Sequence, residues 1–515
     1  MQTDDLSVAV QPVSGAMPVW RAIVDAQQWR ALAQEVRGRG GRLVALWGSD
    51  VSEQLNALEI HMTVTVPTGL VWLTSRTPID APTFPDVSDI FPAANRMQRA
   101  AFDLLGIRAE GGDDHRQWLR HAAWPTQVFP LRKSFAGTSV SQNGIDSYPF
   151  VQVMGEGVHE MPVGPVHAGI IEPGHFRFSV VGERVLRLEQ RLGYKHKGIE
   201  KRFESMSLID GARLAGRVSG DSTVAYAWAY CMAAEGAAQT TPPERALWLR
   251  ALLLERERIA NHLGDLGALG NDAGLAVALA QFSRLKEDLL RLNQSLFGHR
   301  YLMDAIVPGG VSRDIDVAGS AALRAQGTSL RAQVNMLHAV YDDHPGLQDR
   351  FVGTGRVSPE LAEQLGLCGL AGRASALPYD LRAQIPSRPY DGLTVRMATH
   401  RSGDVAARVS VRFEEILESI ALCWEIVERM RPGAVRVELP TPAAGSVGLG
   451  WVEGWRGEVM IALETGADNA LRRVHPHDPS WQNWPLLEHA VISNIVPDFP
   501  LINKSFNLSY SGVDL

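Results

Sequence analysis

The hydrophobic and polar positions of the first 135 residues predict a small domain with helices and strands. Residues 20–37 have apolar side chains at helical spacing, while residues 42–47, 60–66 and 70–74 are short β-rich runs. The run 60–66 alternates apolar and polar residues, which predicts a strand with one buried face. Residues 91–105 predict a second helix that ends at Gly106. The expected inward positions of the first helix are Val24, Trp29, Leu32, Ala33 and Val36.

Long helical patterns dominate after residue 160. A loop and a hairpin that turns at residues 181–183 come first. The clearest helix starts at Thr241, which we expect to be the N-cap, with Glu244 completing a capping box. Further helices are predicted at residues 276–298, 316–345, 359–367 and 404–430, and β-rich segments at 435–439 and 457–463.

These patterns predict an α+β protein with two domains. The small α/β domain covers residues 1–135, and a mainly helical domain with a small β portion covers residues 161–515. The polar, Gly- and Ser-containing residues 136–160 are predicted to be a linker, ordered where they lie on a partner or on the second domain.

Composition narrows the class of protein. Of 515 residues, 45% are apolar and 21% are charged, which is typical of a globular protein with a large core. The net charge of -7 gives no basic surface for nucleic acid. The N-terminus has no signal-peptide pattern, and no run approaches the roughly 18 apolar residues of a membrane span. We therefore expect any contact with a membrane to pass through partner subunits.

The three cysteines, Cys231, Cys368 and Cys423, are far apart in the sequence. None of them forms a Cys-x-x-Cys pair, so the spacing predicts neither a disulfide framework nor a metal site built from local cysteine pairs. We expect three unmodified thiols in a reducing compartment.

A series of motifs resembles a known family. Residues 102–107 (Phe-Asp-Leu-Leu-Gly-Ile) and 129–133 (Phe-Pro-Leu-Arg-Lys) resemble the 30 kDa subunit of respiratory complex I. The second domain resembles the complex I 49 kDa subunit and the large subunit of membrane-bound nickel-iron hydrogenases of the formate hydrogenlyase type. The motifs that carry the second resemblance are residues 164–167, 172–178, 192–201, 257–267, 307–314, 402–408 and 453–458.

The resemblance implies a set of partners for the chain. They are an iron-sulfur small subunit similar to the complex I 20 kDa subunit, integral membrane subunits that translocate protons or sodium ions, and a ferredoxin-like subunit. It also implies a location on the cytoplasmic side of the inner membrane, with the chain attached through those subunits. We expect no cofactor bound by this chain itself, with a quinone as a candidate ligand and the iron-sulfur cluster in the partner.

Four positions lack the cysteines that the resembled hydrogenases use to bind their metals. Where the hydrogenases have two Cys-x-x-Cys pairs that carry nickel and iron, this chain has Ser219, Ser222, Ser509 and Gly512. A hydroxyl is a hard donor that stays protonated near neutral pH, so it does not replace a thiolate for these metals. The tyrosine that complex I places near its quinone is also missing, because Gly220 stands at its position.

Three interpretations of these positions stay open. The side chains could be packed relics of a metal pocket, bonded to each other or to water. They could line a polar cavity for a quinone or another small redox ligand. They could also hold a different metal through oxygen ligands, with Asp221, Asp514 and Glu200 as donors.

The resemblance also suggests working residues. Glu200, His175 and Asp221 are the candidate catalytic groups, and His167, His175 and Tyr226 are candidates for the wall of an acceptor cavity. Glu200 matches a glutamate that hydrogenases use for proton transfer, and burial would raise its pKa. The alternatives are an ion pair of Glu200 with Arg217 or Lys201, and a loop histidine bonded to backbone at residue 175.

Two further groups of cationic side chains have a structural interpretation. We expect them to form ion pairs where this chain meets a partner. They are Arg256, Arg258 and His262 in one group and Arg408 and Arg412 in the other.

The leading hypothesis is a subunit of a complex I-like, membrane-attached oxidoreductase without its own nickel-iron centre. Electrons would pass from an iron-sulfur partner toward a quinone or another acceptor, coupled to ion translocation. One alternative is a genuine nickel-iron hydrogenase large subunit, and another is a non-catalytic structural or coupling subunit. Whether the chain is itself an enzyme stays open, and we expect no activity from it alone.

Overall fold

The computed structural model describes residues 6–121, 124–137, 147–167 and 171–515. Residues 138–146 of the predicted linker and residues 168–170 of the predicted loop before the hairpin lie outside the described residues. Within the described ranges the protein is a mixed α and β structure with an N-terminal unit followed by a larger helical unit, as the sequence patterns predict.

The N-terminal unit is built on a five-stranded sheet with the order β1-β2-β5-β4-β3. Its strands are β1 Gln11–Val13, β2 Val19–Ile23, β3 Leu43–Asp50, β4 Ala57–Val66, β5 Gly69–Pro78, β6 Thr83–Pro85 and β7 Arg108–Glu110. Its helices are α1 Ala26–Gly38, α2 Ser52–Leu55 and α3 Ala94–Leu105. Strands β2 and β5 are parallel, and the other pairs of this sheet are antiparallel.

Local sequence signals explain both longer helices of this unit. Asp25 caps α1 by accepting a hydrogen bond from Gln28 N at 2.8 Å, and Gln28 Oε1 accepts one from Asp25 N at 3.1 Å. All five predicted inward positions, Val24, Trp29, Leu32, Ala33 and Val36, are buried. The predicted start of this helix at residue 20 is wrong, because residues 19–23 form strand β2 and the helix begins after its N-cap, Asp25. Helix α3 ends at Gly106, whose φ of 77° suits a residue without a Cβ atom.

Strand β4 differs from its prediction. The alternating residues predict one buried face, whereas both faces are buried here. The polar face is covered by the second unit: Thr63 Oγ1 contacts Met460 Sδ at 3.4 Å, and the His61 ring stacks on Trp47, which also stacks on His475. The prediction is wrong because alternation reports side-chain polarity and cannot reveal a second unit that packs on the polar face.

The second unit contains most of the helices. They are α4 Ile199–Phe203, α5 Gly211–Ala215, α6 Thr223–Ala237, α7 Glu244–Asp272, α8 Ala276–Phe297, α9 Val317–Asp343, α10 Pro345–Phe351, α11 Pro359–Leu365, α12 Gly369–Ala374, α13 Leu381–Gln384, α14 Val405–Arg429, α15 Ser480–Ala490, α16 Phe499–Phe506 and α17 Ser511–Asp514. Its strands are β8 Val158–Val163, β9 His175–Val181, β10 Arg184–Arg191, β11 Ile306–Val307, β12 Gly310–Val311, β13 Val447–Glu453, β14 Glu458–Thr465 and β15 Leu471–His477.

Helix α6 is at the centre of this unit. All of its residues are buried, and it lies on the antiparallel sheet β13-β14-β15. The approach is close because β13 has glycines under the helix: a Cβ atom on Gly450 would lie 1.9 Å from Ala229 O, and one on Gly448 would lie 1.9 Å from Ala233 O. Helices α7, α8 and α14 pack around this core. The close packing of α6 on β13 holds the helix, and with it the N-terminus of α6, in one position.

Two local predictions in the second unit are wrong. Helix α7 begins at Glu244 after Pro243, and Thr241 does not cap it. The two consecutive prolines, Pro242 and Pro243, hold the chain extended before the first turn, so the helix starts later than the Thr-x-x-Glu pattern predicts. Residues 435–439 form no strand, because Arg436 makes a single bridge with Gly310.

The predicted linker ends earlier than expected. Strand β8 begins at Val158 and pairs with β9, which makes residues 158–160 part of a three-stranded sheet. The described residues before it lie on the protein: Val151 N donates to Glu189 Oε2 at 2.8 Å, and Tyr148 Oη accepts from Arg99 Nη2 at 2.8 Å. These contacts are made with both units, Arg99 in the first and Glu189 in the second.

The two units share a buried, polar contact. Arg473 Nη2 donates to Gly48 O at 2.8 Å, Arg42 Nη2 donates to Glu458 Oε2 at 3.0 Å, and Lys133 Nζ lies 2.9 Å from Glu204 Oε1. The first bond joins β3 to the second unit, the second joins the residue just before β3, and the third joins the end of the N-terminal unit. Because polar groups buried in such a contact must all be paired, this interface fixes one arrangement of the units.

Candidate functional site

Positions far apart in the sequence meet at the N-terminus of α6. Ser219 precedes the 3-10 turn Gly220–Ser222 that leads into α6, and Ser509 and Gly512 lie 290 residues and more further along the chain. The Ser219 and Ser509 hydroxyl oxygens are 3.0 Å apart, and Ser509 Oγ accepts a hydrogen bond from Gly512 N at 2.9 Å. The three serines are buried. The structure therefore brings the four sequence-predicted positions together as one cluster.

Asp221 lies beside this cluster and forms an ion pair with Arg456. Arg456 Nη1 donates to Asp221 Oδ1 at 2.8 Å and to Ser222 Oγ at 3.2 Å, and Ser219 Oγ donates to the same Asp221 oxygen at 2.8 Å. Burial alone would raise the pKa of Asp221, but the Arg456 guanidinium lowers it to about 2. Asp221 is thus ionised at neutral pH, which argues against it as a proton donor.

Gly512 has no room for a side chain. A Cβ atom at this position would lie 2.5 Å from Asp478 Oδ2. The Asp478 carboxylate is held there because Oδ2 accepts from Tyr226 Oη at 2.8 Å and Oδ1 accepts from Ser480 N at 2.8 Å. Tyr226, a candidate for the acceptor cavity, is fully buried and committed to this bond. Its role in binding an acceptor stays a prediction.

A nickel-iron centre does not fit these residues. Three of the four positions offer hydroxyl oxygens, and the fourth offers no side chain, whereas nickel and iron of this kind require soft thiolates. Cys231, Cys368 and Cys423 are buried and free of disulfides. Burial raises the pKa of the Cys368 thiol well above its usual range, and this thiol contacts Asn483 Oδ1 at 3.5 Å.

Glu200 has different partners from those predicted. Glu200 Oε1 lies 2.7 Å from Arg473 Nη2 and 2.8 Å from His475 Nδ1, while Arg217 and Lys201 have other carboxylate partners. Burial would raise the pKa of Glu200, but Arg473 and His475 together lower it to about 2. The predicted raised pKa and the predicted pairing are both wrong, because β15 brings the Arg473 guanidinium and a hydrogen bond from His475 to Glu200 from more than 270 positions away.

His175 and His167 lie on a loop that packs on the C-terminal segment. Glu172 Oε2 accepts a hydrogen bond from Ser511 N at 3.0 Å, and a Cβ atom on Gly174 would lie 2.5 Å from the Tyr510 ring. The loop therefore places the first residue of β9, His175, near the cluster. The His167 ring lies edge-on to Phe176 at 5.4 Å, and His167 Nδ1 is 3.2 Å from Pro165 O.

The His175 ring has one committed nitrogen and one uncommitted nitrogen. His175 Nδ1 lies 3.3 Å from Gly164 O, which can only accept a hydrogen bond, so this nitrogen carries the proton. His175 Nε2 is buried and has no hydrogen-bond partner among the described residues. Burial lowers the pKa of His175, so the neutral ring presents Nε2 as an acceptor near pH 7. The alternative of a loop histidine bonded to backbone thus holds for Nδ1 and leaves Nε2 available.

The cationic groups predicted to face a partner are buried inside this chain. Arg258, Arg408 and Arg412 are all fully buried, and Arg412 pairs with Asp265 at 3.0 Å. His262 Nε2 lies 2.7 Å from Glu415 Oε2. The prediction of ion pairs with a partner is wrong because the helices pack on each other. Arg258, His262 and Arg412 pair with carboxylates of this chain, whereas Arg256 and Arg408 donate to neutral oxygens such as Asn293 Oδ1 and Ser505 Oγ.

Sequence reasoning missed the residues that fill the site. Arg456 lies in the motif at residues 453–458, which was recognised for its family resemblance, but its ion pair with Asp221 spans 235 positions. Asp478 has no motif around it. The available signal was a charged residue without a role, Asp221, and an arginine of opposite charge in a separate motif.

One other group of side chains within the described residues has metal-ligand geometry. Glu59, His61 and Glu464 offer ligand atoms within 4.8 Å of one another. Each carboxylate already has an arginine: Arg76 Nε lies 3.0 Å from Glu59 Oε1, and Arg472 pairs with Glu464. The surrounding positive charge opposes a cation at this place.

Both units of the chain match families of known proteins. Residues 22–141 match the profile of the respiratory-chain NADH dehydrogenase 30 kDa subunit, and residues 272–449 match that of the 49 kDa subunit. The chain is 31% identical over 484 residues to formate hydrogenlyase subunit 5 of Escherichia coli, covering 92% of this chain and 85% of the relative. It is 30% identical to hydrogenase-4 component G of the same organism, covering 86% of this chain and 78% of the relative.

More distant relatives extend the picture. The chain is 28% identical to the C/D component of the NADH-quinone oxidoreductase of Phocaeicola vulgatus, covering 83% of this chain and 86% of the relative. Its fold is similar to a chain in the structure of the membrane-bound sulfane sulfur reductase, an archaeal respiratory membrane complex, with a TM-score of 0.66. That likeness has 24% sequence identity and covers 71% of this chain and all of the other. No described helix is both long enough and apolar enough to cross a membrane.

Proposed function

The chain belongs to the family of fused 30 kDa and 49 kDa complex I-like subunits, and from that premise we propose that it serves a membrane-attached oxidoreductase without a nickel-iron centre. In this proposal the chain sits between an iron-sulfur subunit and the membrane subunits of the complex. Electrons pass from the iron-sulfur cluster to a small acceptor near the N-terminus of α6, and the complex couples this transfer to ion translocation.

One observation carries the proposal: the metal position of the family is rebuilt as an ion pair. The Asp221–Arg456 pair lies against Ser219 and Ser222, and the Asp478 carboxylate occupies the space that a side chain at 512 would need. The hydroxyl groups of Ser219, Ser222 and Ser509 are hydrogen-bonded within this chain, and oxygen donors of this kind favour a chemistry without nickel and iron.

The surface around residue 220 supports an iron-sulfur partner. Gly220 is exposed and the Asp221 side chain is 40% exposed, so the rebuilt site opens to the surface. The Arg217–Asp304 ion pair lies nearby and is also partly exposed. Electron transfer requires a cluster close to this face, and the family relatives are named as components of hydrogenases and of NADH-quinone oxidoreductases. The partner itself is part of the proposal.

A quinone is the acceptor that the His175 environment supports best. The ring of Phe150 lies 5.2 Å from that of His175, and the Tyr510 ring packs against Gly174, so aromatic side chains adjoin this histidine. Reduction of a quinone takes two electrons and two protons. The partner cluster would supply the electrons and solvent would supply both protons. Neutral His175 would take up one of these protons at Nε2 and pass it to a quinone oxygen.

Quinone reduction by the isolated complex tests this proposal. A His175→Gln variant cannot carry a proton at this position, and we expect a lower kcat with a water-soluble short-chain quinone. His167→Gln is the matched control, because His167 Nδ1 is committed to Pro165 O and its ring packs on Phe176. We expect its turnover to stay close to that of the parent complex.

The same experiment separates the alternatives. Unchanged turnover in both His175→Gln and Asp221→Asn complexes would favour a structural or coupling subunit and would reject an acceptor site here. Loss of turnover in His167→Gln but not in His175→Gln would move the acceptor to the other histidine. If the chain were part of a hydrogenase, the complex would evolve hydrogen. The oxygen donors at Ser219, Ser222 and Ser509 do not support this activity, because nickel and iron of this kind require thiolates.

A further inference from the structure

A crevice opens to the surface beside the C-terminal half of α6. It has a volume of about 660 Å³ and lies between residues 14–16, the C-terminal half of α6, the start of α7 and residues 386–391. Its walls include Met232, Gln239, Thr241 and Asp391. The proposed acceptor chemistry does not use this crevice.

The crevice continues toward a small inner cavity. Trp228 and Ser387 line both spaces, and the inner cavity of about 10 Å³ is also lined by Arg382, Tyr390 and Glu453. A volume of this order suits a single water molecule. Trp228 Nε1 is buried and has no hydrogen-bond partner among the described residues, so it offers a donor to such a water.

Glu453 belongs to a cluster of buried charges with an uneven count. Four carboxylates meet three guanidinium groups within ion-pair distance of one another. The members are Glu255, Asp380, Glu415 and Glu453 on one side and Arg258, Arg373 and Arg382 on the other. Because uncompensated charge is costly in a buried site, one proton must balance the fourth carboxylate.

Geometry indicates which group holds this proton. Glu453 Oε1 accepts from Arg373 Nη1 at 2.9 Å, but the partner of Oε2 among the described residues is Leu381 N at the longer distance of 3.3 Å. The competing site is His262, and burial lowers its pKa, so it stays neutral. Burial raises the pKa of Glu453 to about 7. The charged and titratable groups around Glu453 are Arg373, Asp380, Arg382, Tyr379, Cys368 and Glu458.

We propose that the crevice and the inner cavity admit water and protons to Glu453, which holds the exchangeable proton of the buried cluster. Glu453 ends β13 and begins the turn that carries Arg456 to Asp221. Arg258 donates to Glu453 O at 2.6 Å and to Gly454 O at 3.0 Å, so the cluster holds this turn directly. The role of this route as a proton supply for the acceptor site rests on the proposed function. Its role as an access path to Glu453 does not depend on that function.

Infrared difference spectroscopy on the full chain tests the protonation. A protonated carboxyl has a carbonyl band that a carboxylate lacks. Burial raises the pKa of Glu453, of Asp514 and of Glu257 to between about 7 and about 8, so we expect the pH-dependent band near neutrality to lose one component in Glu453→Gln. The amide keeps the shape and stays neutral, so this variant should fold. A spectrum that is the same in the parent chain and in Glu453→Gln would overturn the assignment of the proton to Glu453.

Deuteration of the same band tests the path. In D₂O the band shifts as the proton exchanges, and we expect Ser387→Leu, at the junction of the two spaces, to slow this shift several-fold. Thr241→Leu is the matched control, because Thr241 lines the outer crevice and not the inner cavity, and its exchange should match the parent chain. Equal exchange in both variants would overturn the path. These readings need no electron acceptor, so they stand apart from a failure of the proposed function.

Discussion

Arg456 forms an ion pair with Asp221, and its Nη1 also donates to Ser222 Oγ. Asp221 is 40% exposed, whereas Arg456 is 5% exposed, so the cation is the buried partner. A buried guanidinium without its carboxylate, or the carboxylate without its guanidinium, would be costly, and this cost provides the first test.

Arg456→Met should destabilise the chain by about 1–3 kcal/mol. This is less than the loss of a fully buried pair, because water reaches Asp221. The loss should shrink as pH falls from about 4 toward 2. A carboxylate whose pKa is lowered by folding contributes stability only while it is ionised, and near pH 2 Asp221 takes up a proton in the parent chain as well. Urea denaturation at several pH values measures this. Arg217→Met, which breaks the partly exposed pair with Asp304, is the control, and a loss of equal size there would contradict the account.

Gly512→Ala should destabilise the chain by about 1–3 kcal/mol, because the new methyl group would lie 2.5 Å from the fixed Asp478 carboxylate. Gly220→Ala is the matched control at the other end of the site. The nearest atom to its Cβ position is Met303 Cε at 3.9 Å, an ordinary contact. Thermal unfolding measures the shift in Tm of each variant. Equal shifts would show that the Asp478 carboxylate moves easily to make room for the methyl group.

Glu200→Gln should change how stability depends on pH. The pKa of Glu200 falls from 4.5 to about 2 in the folded chain, so its ion pair contributes stability above pH 4.5 that is lost as pH falls toward 2. The difference between parent and variant should be roughly 3 kcal/mol at pH 6 and should decline across this window. If the parent chain instead gained stability relative to the variant as pH fell, the pKa of Glu200 would be raised in the folded chain, as the sequence suggested.

The sequence predicted the architecture well because the signals are local. The helices at residues 276–298, 316–345 and 404–430 follow apolar periodicity, and the structure has them within a few residues of those bounds. The end of α3 follows from Gly106. The fused 30 kDa-like and 49 kDa-like organisation followed from motif order, and the profile matches confirm it.

The site could be predicted only in part because its contacts are non-local. The replaced positions at 219, 222, 509 and 512 were readable from the motifs, and the structure brings them together. The partners of Glu200 lie on β15, and no periodicity links them to the start of α4. Its predicted pKa therefore had the wrong direction. Burial alone was considered, while the Arg473 cation and the His475 hydrogen bond that reverse its effect come from a distant strand.

The metal content of the complex, isolated with its native partners, tests the central claim most directly. Elemental analysis should find iron from the partner subunit and no stoichiometric nickel, with electrons passing to an added quinone and no hydrogen evolved. Stoichiometric nickel together with hydrogen evolution would contradict the account, because Ser219, Ser222, Ser509 and Gly512 would then have to hold a metal without a thiolate.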